Sequence, residues 1–207
     1  MKIKSSPFQK ISLAIIFLSL NQQVQAQKKI FDAYLVETNL AYSPPKAYTD
    51  FEVVKYPYVP LRRGASSAMW YLIQNQNEDI LIGFTLIPIR KYLSYKSIDP
   101  NVNLENTALS EADTKKSKLY YYNAKELKSV NAMQAVRYDL DMDTVLFGKY
   151  DKCKVAILQR DNIGDGFIYY FYNDKSKGEI DKEIKNTSNM LKFLPDNDFN
   201  PLNYKKD

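Results

Sequence analysis

One stretch near the end of the chain, residues 152–194, constrains the fold more than any other. Its first part, Cys153–Leu158, carries apolar side chains at alternate positions, and such side chains share one face of a β-strand. Residues 161–166 (Asp-Asn-Ile-Gly-Asp-Gly) tolerate positive φ and lie between two apolar runs, which predicts a hairpin turn. The second strand, Phe167–Tyr172, carries aromatic side chains on both of its faces, so we expect both faces to be covered.

The end of the same stretch predicts an amphipathic helix. Ser176–Glu179 matches a capping box, in which a serine oxygen and a glutamate three residues later satisfy the first N–H groups of a helix. Pro195 cannot continue a helix and therefore ends it. We expect this helix to pack on the hairpin through an apolar stripe of helical spacing, formed by Ile180, Ile184, Thr187, Leu191 and Leu194 and widened by Met190.

The first 26 residues have the order of a cleavable secretory signal. Three lysines lead into an apolar region at Ile11–Leu20, and Val24–Ala26 forms a small-residue cleavage site. The apolar region is shorter than the ~20 residues of a spanning helix, which favours cleavage over a membrane anchor. No cysteine follows it for lipid attachment. We therefore expect a periplasmic or extracellular protein that begins at Gln27 and has no stable membrane anchor after cleavage.

Removal of this segment changes the charge of the chain. The full sequence has 29 basic and 24 acidic residues, a formal charge of +5. The segment contains three lysines and no acidic residue, so 26 basic and 24 acidic residues remain, a charge of +2. This small excess does not indicate nucleic acid or an anionic membrane as a partner. An unknown protein or glycan ligand is the expected partner.

Cys153 is the only cysteine, so no disulfide can form within the chain. An exported protein without disulfides depends on its hydrophobic core for stability. The position of Cys153 on an apolar strand face favours a buried structural residue over a reactive thiol or a link between chains.

The region before this stretch contains weaker signals. Ile30–Val36 is compatible with a strand or a short helix, and Phe51–Tyr56 alternates weakly as a strand. Ala68–Gln74 and Ile80–Ile87 are stronger strands, and the polar turn at residues 75–79 predicts that they form a second hairpin.

Three segments connect the two hairpins. Tyr92–Lys118 is mostly polar and predicts a long surface loop that holds one helical turn at most. Asn123–Lys128 has the pattern of a short capped helix. Ala135–Met142 alternates as a strand, with inward side chains at Val136, Tyr138, Leu140 and Met142.

Together these elements predict one α+β domain over residues 27–207. It has a largely antiparallel sheet of at least five strands, with the C-terminal amphipathic helix packed on it. In layout, over about residues 51–194, the chain resembles the PsbP-like α/β/α architecture. This resemblance implies a fold and carries no functional residues across.

The residue types that are missing exclude several chemistries. The chain has no histidine, which excludes Ser–His and Cys–His nucleophilic pairs and histidine metal ligands. A single cysteine excludes a thiolate zinc site, and the six glycines form neither G-x-G-x-x-G nor a P-loop. We expect no cofactor.

Aspartates at alternate positions of Asp139–Asp143 begin like a calcium-binding loop. Thr144 replaces the required glycine, and Tyr150 replaces the closing glutamate. The alternation favours a strand with a polar outer face. The oxygen-rich runs at residues 161–165 and 196–198 fit a turn and a solvated tail. We predict no metal site.

Tyrosine is abundant, with 17 residues, and several lie in aromatic groups. Such groups with nearby arginines can stack on a glycan or a peptide, although tyrosines also fill the cores of β-sheets. The candidate binding residues are Trp70, Tyr71, Arg62, Arg63, Arg90, Tyr120, Tyr121 and Tyr122.

Two hypotheses for the function follow. The first is a non-enzymatic binding or accessory domain. The second is a hydrolase of envelope or extracellular glycans that acts through carboxylates such as Asp139 or Glu126. The excluded chemistries favour binding, because no motif indicates a catalytic pair.

Overall fold

A computed structural model describes residues 27–51, 58–62, 65–89, 103–112, 118–140, 142–195 and 199. The predicted signal at residues 1–26 lies outside the described residues, and so do residues 52–56 of the predicted strand Phe51–Tyr56. The helices are α1 (27–37), α2 (Asn103–Glu111), α3 (Ala124–Val130) and α4 (Ile180–Thr187). The strands are β1 (Leu40–Tyr42), β2 (Tyr48–Asp50), β3 (Tyr58–Arg62), β4 (Ala65–Ala68), β5 (Tyr71–Asn75), β6 (Ile80–Pro88), β7 (Tyr120–Tyr121), β8 (Gln134–Leu140), β9 (Lys152–Arg160), β10 (Gly164–Tyr172) and β11 (Leu191–Phe193).

The centre of the fold is a seven-stranded sheet in the order β2-β5-β6-β10-β9-β8-β7. Every neighbouring pair is antiparallel, which confirms the predicted α+β class with a largely antiparallel sheet. The two predicted hairpins are β5–β6 and β9–β10. Strand β10 lies between β6 and β9, and its burial confirms the coverage predicted for Phe167–Tyr172. The strand begins at Gly164, so the turn predicted at residues 161–166 is three residues shorter than expected.

One face of the sheet is covered by α1, α3, α4 and the two-stranded β1–β11 ribbon. Phe31 of α1 stacks on Tyr71 of β5, with ring centroids 4.7 Å apart. Ile184 of α4 is 1% exposed and belongs to the same hydrophobic cluster as Ile168 and Tyr170 of β10. This face therefore holds the predicted packing of the last helix on the hairpin.

Helix α2 covers the opposite face of the sheet. Its residues Leu104 and Ala108, with Ala112 just beyond its end, recur every four residues and are buried in one cluster with Val136 and Tyr138. The prediction that Tyr92–Lys118 holds one helical turn at most was wrong, since α2 spans nine residues. Two of its three core residues are alanines, which contribute little to an apolar stripe in the sequence.

The predicted last helix is shorter than its apolar stripe. Helix α4 ends at Thr187, and Leu191–Phe193 forms strand β11 paired with β1. Leu191 and Phe193 are buried, whereas Leu194 is 44% exposed, so the final part of the helical prediction was wrong. The helical spacing includes Leu191 because this residue is buried in the strand as well. The strand itself forms because its backbone hydrogen bonds are made with β1, a segment that is distant in sequence.

The predicted capping box at Ser176 was also wrong. The Ser176 hydroxyl donates to the Asp79 carbonyl at 2.9 Å, and Glu179 precedes α4 without a side-chain cap. The predicted cap at Asn123 is confirmed. Its side chain accepts from the N–H groups of Lys125 and Glu126, and the Glu126 carboxylate accepts from the Asn123 N–H at 2.9 Å.

Several smaller predictions are settled in the same way. Ile30–Val36 lies within helix α1, and the strand predicted from Ala68 begins at Tyr71, because Ala68 ends β4 instead. Cys153 is 2% exposed, which confirms its burial. No helix in the described part of the chain is long and apolar enough to cross a membrane.

Candidate functional site

The predicted aromatic binding residues lie in two separate places. Tyr120 and Tyr121 form β7 at one edge of the sheet, whereas Tyr71 lies in β5, one strand from the other edge. Tyr71 is 4% exposed and belongs to the core, and its hydroxyl donates to Asp50. Trp70 stacks on the ring of Tyr34 at 4.9 Å. The two aromatic groups therefore do not form one platform.

The side chains of the three predicted arginines lie outside what the structure describes. Arg62 belongs to β3, which pairs with β4. Arg63 and Arg90 lie outside the described residues. The arginine beside the β7 tyrosines is a different one, Arg137.

Arg137 lies opposite Tyr120 in the β7–β8 register. Its guanidinium carbon is 4.7 Å from the centroid of the Tyr120 ring, a cation–π contact. The Tyr120 hydroxyl donates to the carboxylate of Glu126 at 2.9 Å, which fixes the ring between α3 and β8. The alternation of Ala135–Met142 implies that Arg137 lies on the face of β8 opposite Val136. The pairing of β8 with β7 cannot be inferred from this alternation.

Arg137 lines a cleft of about 330 Å³ that lies between α3 and α4. Strand β8 contributes Arg137, and helix α4 contributes a second cation, Lys185. The other side chains that matter for its chemistry are Tyr122, Glu126, Ser129 and Asp181. This cleft combines an arginine, an aromatic ring and hydroxyl groups, which are the groups that commonly hold polar ligands.

The acidic groups around this cleft already have partners. Glu126 accepts from the Asn123 N–H and the Tyr120 hydroxyl. Lys154 lies 2.9 Å from the carboxylate of Asp139 and 3.4 Å from that of Asp181.

The cations of the cleft do not have such partners. In the described ranges, neither Arg137 nor Lys185 makes an ion pair with a carboxylate. Arg137 is half-buried, so solvent compensates its charge less completely than on an open surface. Arg137 and Lys185 are therefore the charged groups of the cleft that are available to pair with an anionic ligand, although Glu126 and Asp181 balance their charge in the lining as a whole.

The two phenols beside Arg137 remain neutral at physiological pH. The hydrogen bond to Glu126 raises the pKa of Tyr120, and burial raises the pKa of Tyr122 while the Arg137 charge partly opposes it. Both hydroxyls stay protonated, so neither adds a negative charge that would weaken the attraction of an anion.

A second cleft, of about 490 Å³, lies on the other flank of α4. The α4 residues of the two clefts fall on opposite sides of the helix, with the buried stripe of Ile180 and Ile184 between them. The walls of this second cleft are the turn before β2, the β5–β6 turn and α4. The Tyr48 hydroxyl donates to the Glu183 carboxylate across it at 3.0 Å.

Of the two carboxylates named for hydrolysis, one lines the first cleft. Glu126 lines it, and Asp139 is held by Lys154. Glu111 is a separate acid on the other face of the sheet, where burial raises its pKa and the Tyr138 hydroxyl donates to it at 2.5 Å. The described residues contain no group of three His, Cys, Asp or Glu side chains that could hold a metal ion, and Asp141 and residues 196–198 lie outside them.

Comparison with protein-family models gives no match, and comparison with curated proteins gives none either. Among solved structures, the solution structure of cyanobacterial PsbP (CyanoP) from Synechocystis sp. PCC 6803 is similar in fold. It is 8% identical, the alignment covers 76% of this chain and 88% of that chain, and the TM-score is 0.38. This chain therefore shows a weak resemblance of fold to a PsbP protein.

Proposed function

We propose that this chain is an exported, non-enzymatic binding protein that holds an acidic ligand in the cleft between α3 and α4. The observation that carries the proposal is Arg137, a half-buried arginine that stacks on Tyr120 and makes no ion pair in the described structure. A guanidinium in this position presents a planar set of N–H donors that matches a carboxylate. Lys185 adds a second charge from the facing helix.

The pattern of neighbouring groups supports an anion over a cation as the ligand. The nearby carboxylates of Glu126 and Asp181 are engaged by other donors, so they attract a cationic ligand less strongly. The Tyr122 hydroxyl supplies a neutral donor beside the cations, whereas the Ser129 hydroxyl donates to the Glu126 carbonyl at 2.7 Å. A small carboxylate, free or on a larger molecule, would pair with the two cations and the Tyr122 hydroxyl.

Substitution of the two cations tests this proposal. We expect malonate and acetate to bind the unmodified protein saturably, and the Arg137→Gln and Lys185→Gln variants to bind malonate about tenfold more weakly, equivalent to about 1.4 kcal/mol each. Two-dimensional NMR titration of the full chain reports both the affinity and the residues that respond.

Lys182→Gln is the matched control, because Lys182 lies on the same helix, pairs with Glu179 and does not line the cleft. Its affinity for malonate should equal that of the unmodified protein. The proposal would be contradicted by equal weakening in all three variants, which indicates nonspecific charge, or by the absence of saturable shifts at the cleft.

The order of charged, apolar and cleavage regions in residues 1–26 supports export. We expect the exported protein to begin at Gln27. Mass spectrometry of the intact protein and of its N-terminal peptide, after expression of the full chain in a bacterial host, measures this. Recovery of a chain that still begins at Met1 in the membrane fraction would refute cleavage.

A further inference from the structure

The second cleft, between α4, the turn before β2 and the β5–β6 turn, has walls that are fixed by internal hydrogen bonds. The Gln76 N–H donates to the Ala47 carbonyl at 3.1 Å, which ties the two turns together. The Asn75 side chain accepts from the N–H groups of Asp79 and Ile80 at 3.0 Å. These bonds hold the backbone of both turns in place, so the cleft is formed before any ligand arrives.

Exposed amide side chains surround this cleft, and their hydrogen-bonding groups face solvent. Gln76, Asn77 and Asn186 line it, and their side-chain amides make no hydrogen bond to other described residues. Each amide offers two donors and one acceptor. A hydroxyl group both donates and accepts, so it pairs with an amide in either direction.

This cleft has fewer charged groups than the α3–α4 cleft, which is lined by two acids and two bases. Its charged residues are one acid, Glu183, and one base, Lys46. Glu183 accepts the hydroxyl of Tyr48, whose pKa is raised by burial and by Glu183 itself, so the phenol remains a neutral donor to that carboxylate. The balance of one positive and one negative group gives no preference for a charged ligand.

We propose that this cleft binds a neutral, hydroxyl-rich ligand, a saccharide, and that it does so independently of the anion site. The volume of about 490 Å³ lies in the range of small-molecule sites. Gln76 and Asn77 on the β5–β6 turn and Asn186 on α4 bind the hydroxyls from two sides. Tyr48 and Pro45 supply the nonpolar surface against which the faces of a sugar ring pack.

Neutral oligosaccharides test the proposal directly. Cello-, malto-, chito- and manno-oligosaccharides are titrated into the full chain, with binding measured by saturation-transfer NMR and calorimetry. We expect at least one series to bind saturably with a Kd of about 0.1 to 1 mM, and Gln76→Ala and Asn186→Ala each to weaken it about tenfold. Arg137→Gln should leave this affinity unchanged, which separates the two sites.

Asn189→Ala provides the matched control, because Asn189 is an exposed asparagine three residues from Asn186 that lines neither cleft. Its affinity should equal that of the unmodified protein. The proposal is overturned if none of the four series binds saturably, or if binding survives both Gln76→Ala and Asn186→Ala. Thermal melts of each variant establish that the fold is retained, so that a loss of affinity reports the lost side chain.

Discussion

Ile184→Asp is expected to unfold the protein or to lower its free energy of unfolding by more than about 4 kcal/mol. Ile184 is 1% exposed in the middle of α4, within the apolar cluster that this helix shares with β10. The substitution removes a buried branched side chain and introduces a carboxylate with no partner in that cluster. Urea denaturation followed by circular dichroism measures the change.

Lys182→Asp on the same helix is the control, because Lys182 is exposed and its substitution is expected to change the stability by no more than about 0.5 kcal/mol. A midpoint for Ile184→Asp equal to that of the unmodified protein would mean that the stripe of α4 faces solvent. In that case the helix would have to be reassigned as a surface for a partner.

Gly164→Ala is expected to cost about 3 kcal/mol or more, because two separate penalties act at one residue. Gly164 has a φ of 149°, a conformation that side chains rarely adopt. A Cβ at this position would lie 2.4 Å from the Ile87 carbonyl oxygen and 3.0 Å from the Pro88 Cα. Those atoms belong to the backbone of β6, so the clash cannot be relieved by rotating a side chain.

Gly148→Ala separates the two penalties. Gly148 has a φ of 66°, but a Cβ there would meet no atom within 4 Å. We expect it to cost only about 1 kcal/mol, the conformational part alone. Equal losses of stability for the two alanine variants in urea denaturation would show that the close approach of β10 to β6 at Gly164 is not maintained in solution.

The parts of the fold that were predictable from the sequence are those determined by local chemistry. The β9–β10 hairpin follows from the turn signal at residues 161–166 between two apolar runs, and the cap of α3 follows from Asn123 and Glu126. In both cases the interacting groups are close in sequence. Such patterns act before any tertiary contact forms, so they can be read without knowing the fold.

The parts that were not predictable depend on partners far away in the chain. Strand β11 exists because Leu191–Phe193 pairs with β1, which begins at Leu40. Ser176 resembles a helix cap but bonds instead to Asp79 of the β5–β6 turn. In each case a distant hydrogen-bonding partner overrides a plausible local pattern.

The candidate site shows the same division. The tyrosines at Tyr120 and Tyr122 stood out as an aromatic group, and they do lie beside the α3–α4 cleft. Arg137 did not stand out, because its relation to Tyr120 is a cross-strand register between β7 and β8. The alternation of β8 shows which face Arg137 occupies, whereas its neighbour on that face is set by the strand order.

The location of Cys153 determines how readily its thiol can be oxidised. The thiol lies between Leu140 and Phe171 on the neighbouring strands, and burial raises its pKa well above the usual value. Thiolates, not thiols, react with oxidants, so the intact sheet suppresses oxidation of this residue. Covalent dimers can then form only from molecules in which β9 has separated from a neighbour. The fraction of disulfide-linked dimers in a stored sample is therefore expected to increase with the number of times that β9 has separated from a neighbouring strand.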